Sequence, residues 1–126
     1  MTKGDGNPGF DLEERTALFG EAVLAFVKKM PRSPMNDPMA SQLVRAATSV
    51  GANYCEADDG VSKRDFRNKI GTCRKESRET KHWLRMIASA NEHLKPEARQ
   101  LWLEAKELNL IFSKIFRTAS DGKGDE

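Results

Sequence analysis

Between Ser62 and Leu94, small or apolar residues recur at Phe66, Ile70, Cys73, Ser77, Thr80, Leu84 and Ile87. The steps alternate four and three, which is the seam of a helix packed lengthwise against other helices. Ser62-Lys63-Arg64-Asp65 supplies a capping-box start, with Asp in place of Glu. At about 100° per residue the remaining positions sort by charge. Arg67, Arg74, Arg78, Lys81 and Arg85 fall on one flank of the seam. Asp65, Glu76, Glu79 and Trp83 fall on the other, with Lys69 as the exception there. A chain built around such a rod has a core line and two chemically distinct outer lines.

Three further amphipathic segments accompany it. Asp11 caps a first helix to about Met30, with a seam of Leu12, Phe19, Val23, Phe26 and Met30, ended by Pro31 and Pro34. Asp37 before Pro38 predicts an N-cap followed by Pro at the first helical position. The second helix then runs to about Asp58, burying Met39, Leu43, Ala47, Val50 and Tyr54. Gly51 and Cys55 leave one of its flanks narrow enough for close helix contact. The third helix runs from Lys63 to about His93. Pro96 opens the fourth, with Leu101, Ala105, Leu108, Phe112, Ile115 and Ala119 as its seam. No strand alternation or internal repeat interrupts these segments. The expected fold is all-α, an antiparallel up-down four-helix bundle over residues 10–119. Residues 1–9 read as a flexible lead-in and 120–126 as a disordered tail.

At 126 residues the chain suffices for one core. Its net charge is only +2, yet nine Lys or Arg stand against three Asp or Glu between Lys63 and Arg85. The basic helix therefore directs a positive field that the total conceals. Cys55 and Cys73 follow no disulfide or zinc spacing and read as reduced, core-edge thiols. With no membrane-length apolar run and no signal-peptide core in sight, a cytoplasmic location is expected.

The order of residues along the second and third helices resembles a known family. It includes Ser41-Gln42-Leu43, Arg45-Ala46-Ala47, Ser49-Val50-Gly51-Ala52-Asn53-Tyr54 and Glu56-Ala57. It continues through Ser62-Lys63, Asp65-Phe66, Lys69-Ile70, Lys75-Glu76, Glu79-Thr80 and Trp83-Leu84. This series is similar to the four-helix-bundle proteins encoded in intervening sequences of bacterial 23S ribosomal RNA genes. The accessory protein of diversity-generating retroelements resembles the same family. The resemblance spans about residues 10 to 118. It implies an up-down bundle, protomers assembled in five-membered rings and no known enzymatic activity. For the retroelement relatives it also implies nucleic-acid binding.

The candidate sites follow. Arg67, Arg74, Arg78, Lys81 and Arg85 form a row of cations suited to phosphates, read by charge rather than by base identity. No aromatic is interleaved on that flank of the third helix, so base stacking is not expected. The competing reading is a solvated face, or one paired with acids of the second helix such as Glu56. Leu103 and Leu110, with Trp83, Trp102 and the acidic Glu79, suggest a subunit interface. The alternative is a wider core seam. Gln42, Ser49, Asn53 and Glu56 suggest a half-buried polar network that fixes helix register. Glu79-Thr-Lys-His82 has Glu-x-x-His spacing, but di-metal bundles need two such motifs. No metal or cofactor is expected. Nor is any nucleophile–base pair recognisable.

The expected protein is thus a non-enzymatic, self-assembling bundle that binds nucleic acid, RNA ahead of DNA, through the basic stripe. The alternative is a structural oligomer or protein-interaction scaffold.

Overall fold

The computed structural model describes residues 11–121, with side chains through Ala119. The expected lead-in over residues 1–9 and residues 122–126 of the expected tail lie outside the described residues. The chain forms α1 (Leu12–Val27), α2 (Asn36–Asp58), α3 (Lys63–Ala90), a 3-10 turn (Glu92–Leu94) and α4 (Lys95–Asp121). There is no strand among the described residues. Each helix packs on its neighbours in sequence, and α4 closes the ring against α1 through the smallest of the four contacts. The result is an all-α antiparallel up-down bundle.

The helix starts have local causes. Asp11 Oδ1 accepts a hydrogen bond from the Glu14 amide at 3.3 Å, and Ser62 Oγ accepts one from the Asp65 amide at 3.0 Å. Both satisfy donors that a helix N-terminus leaves unpaired. The start of α2 differs from expectation. Ser33 Oγ accepts from the Asn36 amide at 2.9 Å, while Asp37 Oδ1 accepts from the Ser33 amide at 3.3 Å. These two bonds set the helix off before Asp37, so Pro38 lies in the first turn, where a missing N–H costs nothing. Arg32 Nε and Nη2 also bind the Asp37 carboxylate, at 3.0 and 3.2 Å. That ion pair holds the Asp37 pKa below its ordinary value.

The predicted seams are the core. Phe26, Leu43, Ile70, Leu84, Ile87, Leu108 and Phe112 are fully buried, and Ser77 and Thr80 lie in the same α3 line. Thr80 Oγ1 donates to the Glu76 carbonyl at 2.8 Å, so a hydroxyl enters the core already satisfied. Two glycines permit close helix approach. A Cβ on Gly51 would stand 3.2 Å from Thr16 Oγ1 of α1, and one on Gly71 would stand 3.0 Å from Phe116 Cε1 of α4.

One end of the bundle is closed by a contact that helical periodicity does not announce. Asn36 at the start of α2 and Asn91 just after α3 exchange amide hydrogen bonds, both at 3.0 Å and both buried. Asn36 Nδ2 donates also to the Pro31 carbonyl at 2.8 Å, and Asn91 Nδ2 to the Ile87 carbonyl at 3.0 Å. The α1–α2 and α3–α4 connections are thereby joined. Asn91 also ends α3 sooner than expected, at Ala90 rather than near His93.

The cysteines separate by environment. Cys73 is buried, with Sγ 3.5 Å from the Val50 carbonyl, and burial pushes its thiol up to about 12. Cys55 is exposed. Iodoacetamide at pH 8 is expected to label Cys55 in the native protein and Cys73 only after denaturation. Mass spectrometry of native and denatured samples checks this. Equal labelling of both thiols in the native state would contradict the packing of α2 on α3.

Candidate nucleic-acid interface

The two charged flanks of α3 face different neighbours. Its acids turn to α2. Arg45 Nη1 reaches Glu76 Oε1 at 3.3 Å, and Arg45 Nη2 binds the Glu79 carboxylate. Trp83 Nε1 donates to Glu79 Oε2 at 3.1 Å, and His82 meets the Trp83 ring edge-on at 5.0 Å. Lys69, the odd cation on this flank, pairs with Glu56 of α2 at 2.6 Å. The acid–base pairing between α2 and α3 is therefore complete without the basic flank.

That flank turns toward α4. Arg74 stacks its guanidinium 4.3 Å from the Phe116 ring centroid, and Lys81 Nζ lies 5.2 Å from that of Trp102. The expected absence of aromatics holds for α3 alone, because α4 delivers two rings to the flank. Asn109 Nδ2 donates to the Arg74 carbonyl at 2.9 Å and to Ser77 Oγ at 3.2 Å, fixing α4 against α3 at this level. Arg78 and Arg85 are exposed and Arg67 is half-buried. Among the described residues none of the five cations pairs with a carboxylate. Stacking leaves the in-plane N–H groups of Arg74 available to an anion.

The acids of α4 leave the same groove clear. Glu104 binds Arg15 of α1 through Nε at 2.7 Å and Nη2 at 2.9 Å, which raises the Arg15 pKa. Glu97 binds Lys29 at 3.0 Å, and Glu107 acts on Arg15 through space. Residues 11–60 hold eight acids and five bases, whereas 61–121 hold eight acids and fourteen bases. The positive field therefore belongs to the α3–α4 side of the bundle.

The other candidate residues are distributed as follows. Leu103 and Leu110 are 49% and 53% exposed on the outer face of α4. Trp83 and Trp102 are partly buried against the core, so the seams are wider there than their strict periodicity. Gln42, Asn53 and Glu56 do not bond to one another. Gln42 Oε1 accepts from Arg45 at 3.2 Å, Asn53 Nδ2 donates to the Ser49 carbonyl at 2.9 Å, and Glu56 serves Lys69. Gln42 and Glu56 are exposed, so the expected half-buried network resolves into separate contacts. His82 is exposed, and no cluster of potential metal ligands occurs among the described residues. An open cleft of about 420 Å³ at the α2–α3 turn, bordered by Ala57, Val61, Phe66 and Ala119, lies apart from the basic flank. Among the described residues no helix is long and apolar enough to cross a membrane.

Among curated proteins, none matches this chain. Among solved structures, a protein of unknown function from the S23 ribosomal protein family of Bacteroides thetaiotaomicron is similar, with a TM-score of 0.75 and 25% identity. The alignment covers 82% of this chain and 96% of that one. The profile of the 23S rRNA-intervening sequence proteins matches residues 11–114, nearly the whole described bundle. By that match, this chain belongs to the 23S rRNA-intervening sequence protein family.

Proposed function

We propose that this protein is a non-enzymatic, self-assembling cytoplasmic bundle that binds nucleic acid, RNA first, through the basic flank of α3. One observation carries the reading. Arg67, Arg74, Arg78, Lys81 and Arg85 lie along a single flank without carboxylate partners, while the acids of the same helix are bonded to Arg45. Exposed cations at helical spacing bind phosphate with strong salt dependence and little base selectivity. The resemblance to the retroelement accessory protein points the same way.

The test is a salt titration of binding to generic RNA and DNA. The wild type is compared with a variant carrying Arg74→Glu, Arg78→Glu and Arg85→Glu. Wild-type affinity should fall steeply as salt rises, and the triple variant should lose binding at every salt concentration. Absence of wild-type binding at low salt, or equal binding by the variant, removes the proposal.

A second reading, a structural oligomer or protein-interaction scaffold, is favoured by exposed Leu103 and Leu110. Within it Glu79, Trp83 and Trp102 edge the contact, and the family resemblance supplies a ring of five. Sedimentation of the wild type against Leu103→Glu and Leu110→Glu tests the assembly. An oligomer that dissociates in these variants supports the contact, and a monomeric wild type eliminates it.

A further inference from the structure

Resting on the nucleic-acid reading above, we infer that the ligand is a duplex, gripped along its phosphates by two parallel rows of cations, one on α3 and one on α4. The second row is Arg99, Lys106 and Arg117. Their separations of seven and eleven residues are near-whole numbers of helical turns, so the three share one face of α4. All three are exposed, and among the described residues none pairs with a carboxylate. Lys106 joins this row to the first. Its Nζ lies 5.8 Å from the Trp102 ring centroid, and Lys81 of α3 stands 5.2 Å from the same ring. The acids of both helices point elsewhere, Glu76 and Glu79 to α2 and Glu97 and Glu104 to α1.

Two features select a duplex over a single strand. The first is dimension. Arg67 to Arg85 and Arg99 to Arg117 each span eighteen residues, or about 27 Å of helix axis at ~1.5 Å per residue. Packed helices have axes about 8–10 Å apart, which sets the scale of the gap between the rows. Two rows at that spacing can meet the phosphates on the two sides of a duplex groove over part of a turn. A single strand would follow one row and leave the other idle. The second feature is the fate of the aromatics. Surfaces that bind single strands stack bases on open rings. Here Arg74 stands over Phe116, while Lys81 and Lys106 stand over Trp102. The rings therefore support the cations instead of offering stacking platforms. Leu103 and Leu110 stand between the cations of the α4 row on the same outward face, so the exposed leucines and the row share one surface.

The experiment uses the full chain and fluorescence anisotropy over a range of salt. The probes are a blunt RNA duplex of about two turns and one of its strands alone. The duplex should bind about tenfold or more tightly than the strand at the same salt. The variant Arg99→Glu, Lys106→Glu, Arg117→Glu should weaken duplex binding about tenfold or more and flatten the log–log salt slope by about three. Should the triple variant not fold, as read by circular dichroism, Lys106→Glu and Arg117→Glu tested singly should each flatten the slope by about one. Equal or tighter binding of the single strand overturns the duplex assignment and leaves the nucleic-acid reading standing. An unchanged slope in the α4 variants overturns the second row. Loss of binding that accompanies dissociation of the wild-type oligomer overturns it too, assigning α4 to a subunit contact. No binding of either probe sinks the parent reading together with this one.

Discussion

Phe112→Ala should lower the stability of the bundle by about 4 kcal/mol and its melting temperature by more than about 10 °C. Phe112 is fully buried, and its ring meets Tyr54 at a centroid distance of 5.9 Å. The truncation removes the transfer free energy of the ring and leaves a cavity between α2, α3 and α4 that rigid helices close only in part. Leu110→Ala, two residues away on the opposite face of α4, provides the contrast. Its side chain is 53% exposed, so within one protomer the change should stay inside about 0.5 kcal/mol. Any larger effect of Leu110→Ala must arise from assembly and must then grow with protein concentration. The effect of Phe112→Ala on a folded protomer has no such dependence. Thermal melts of both variants at two concentrations separate the cases. A mild Phe112→Ala would mean that the α4 seam is rotated from the packing described here.

That contrast shows which part of the fold the residue pattern encodes. A helix that must bury one line repeats apolar residues at threes and fours, and all four seams do so. Phe19, Val23 and Phe26, or Leu84 and Ile87, could be assigned to the core from spacing alone. Caps are less legible, because several residues near a helix start can serve. The Asp37-Pro38 pair is the stronger local signal, yet Ser33 Oγ takes the Asn36 amide and Asp37 takes the Ser33 amide, and the helix begins between Ser33 and Asp37. Periodicity also says nothing about tight ends, so Asn91 could not be singled out from its own helix.

The candidate site was partly open to the same geometry. One helical wheel separates the acids of α3 from its bases, but it cannot say which helix each flank meets. That depends on the rotation and axial offset of neighbours, which is why the Arg45 fork onto Glu76 and Glu79 and the Lys69–Glu56 pair emerge only in three dimensions. Phe116 and Trp102 belong to α4, so a wheel of α3 alone finds its basic flank without aromatics. The row of Arg99, Lys106 and Arg117 does have a helical period. It is interleaved with Leu103 and Leu110, and that stretch of α4 therefore reads first as an apolar surface.

The Asn36–Asn91 pair should behave as one unit in a double-mutant cycle. Asn91→Ala removes three of the four hydrogen bonds that the two amides make and strands Asn36 in a site where it is only 6% exposed. A buried amide left with only its Pro31 bond pays most of its desolvation, so about 2–3 kcal/mol should be lost. Asn36→Ala should cost a similar amount by the reverse argument. Replacing both by Ala removes the stranded amide as well, leaving only the Pro31 and Ile87 carbonyls short of a donor. The double variant should therefore be destabilised by clearly less than the two single losses together, with a coupling of about 1–2 kcal/mol or more. Urea denaturation of the four proteins measures it. The single variants should also exchange backbone amides faster around residues 31–36 and 87–94, because the clamp ties one interhelical connection to the other. Additive losses in the cycle would mean that each amide is satisfied independently, and the two connections would then be held only by the apolar residues beneath them.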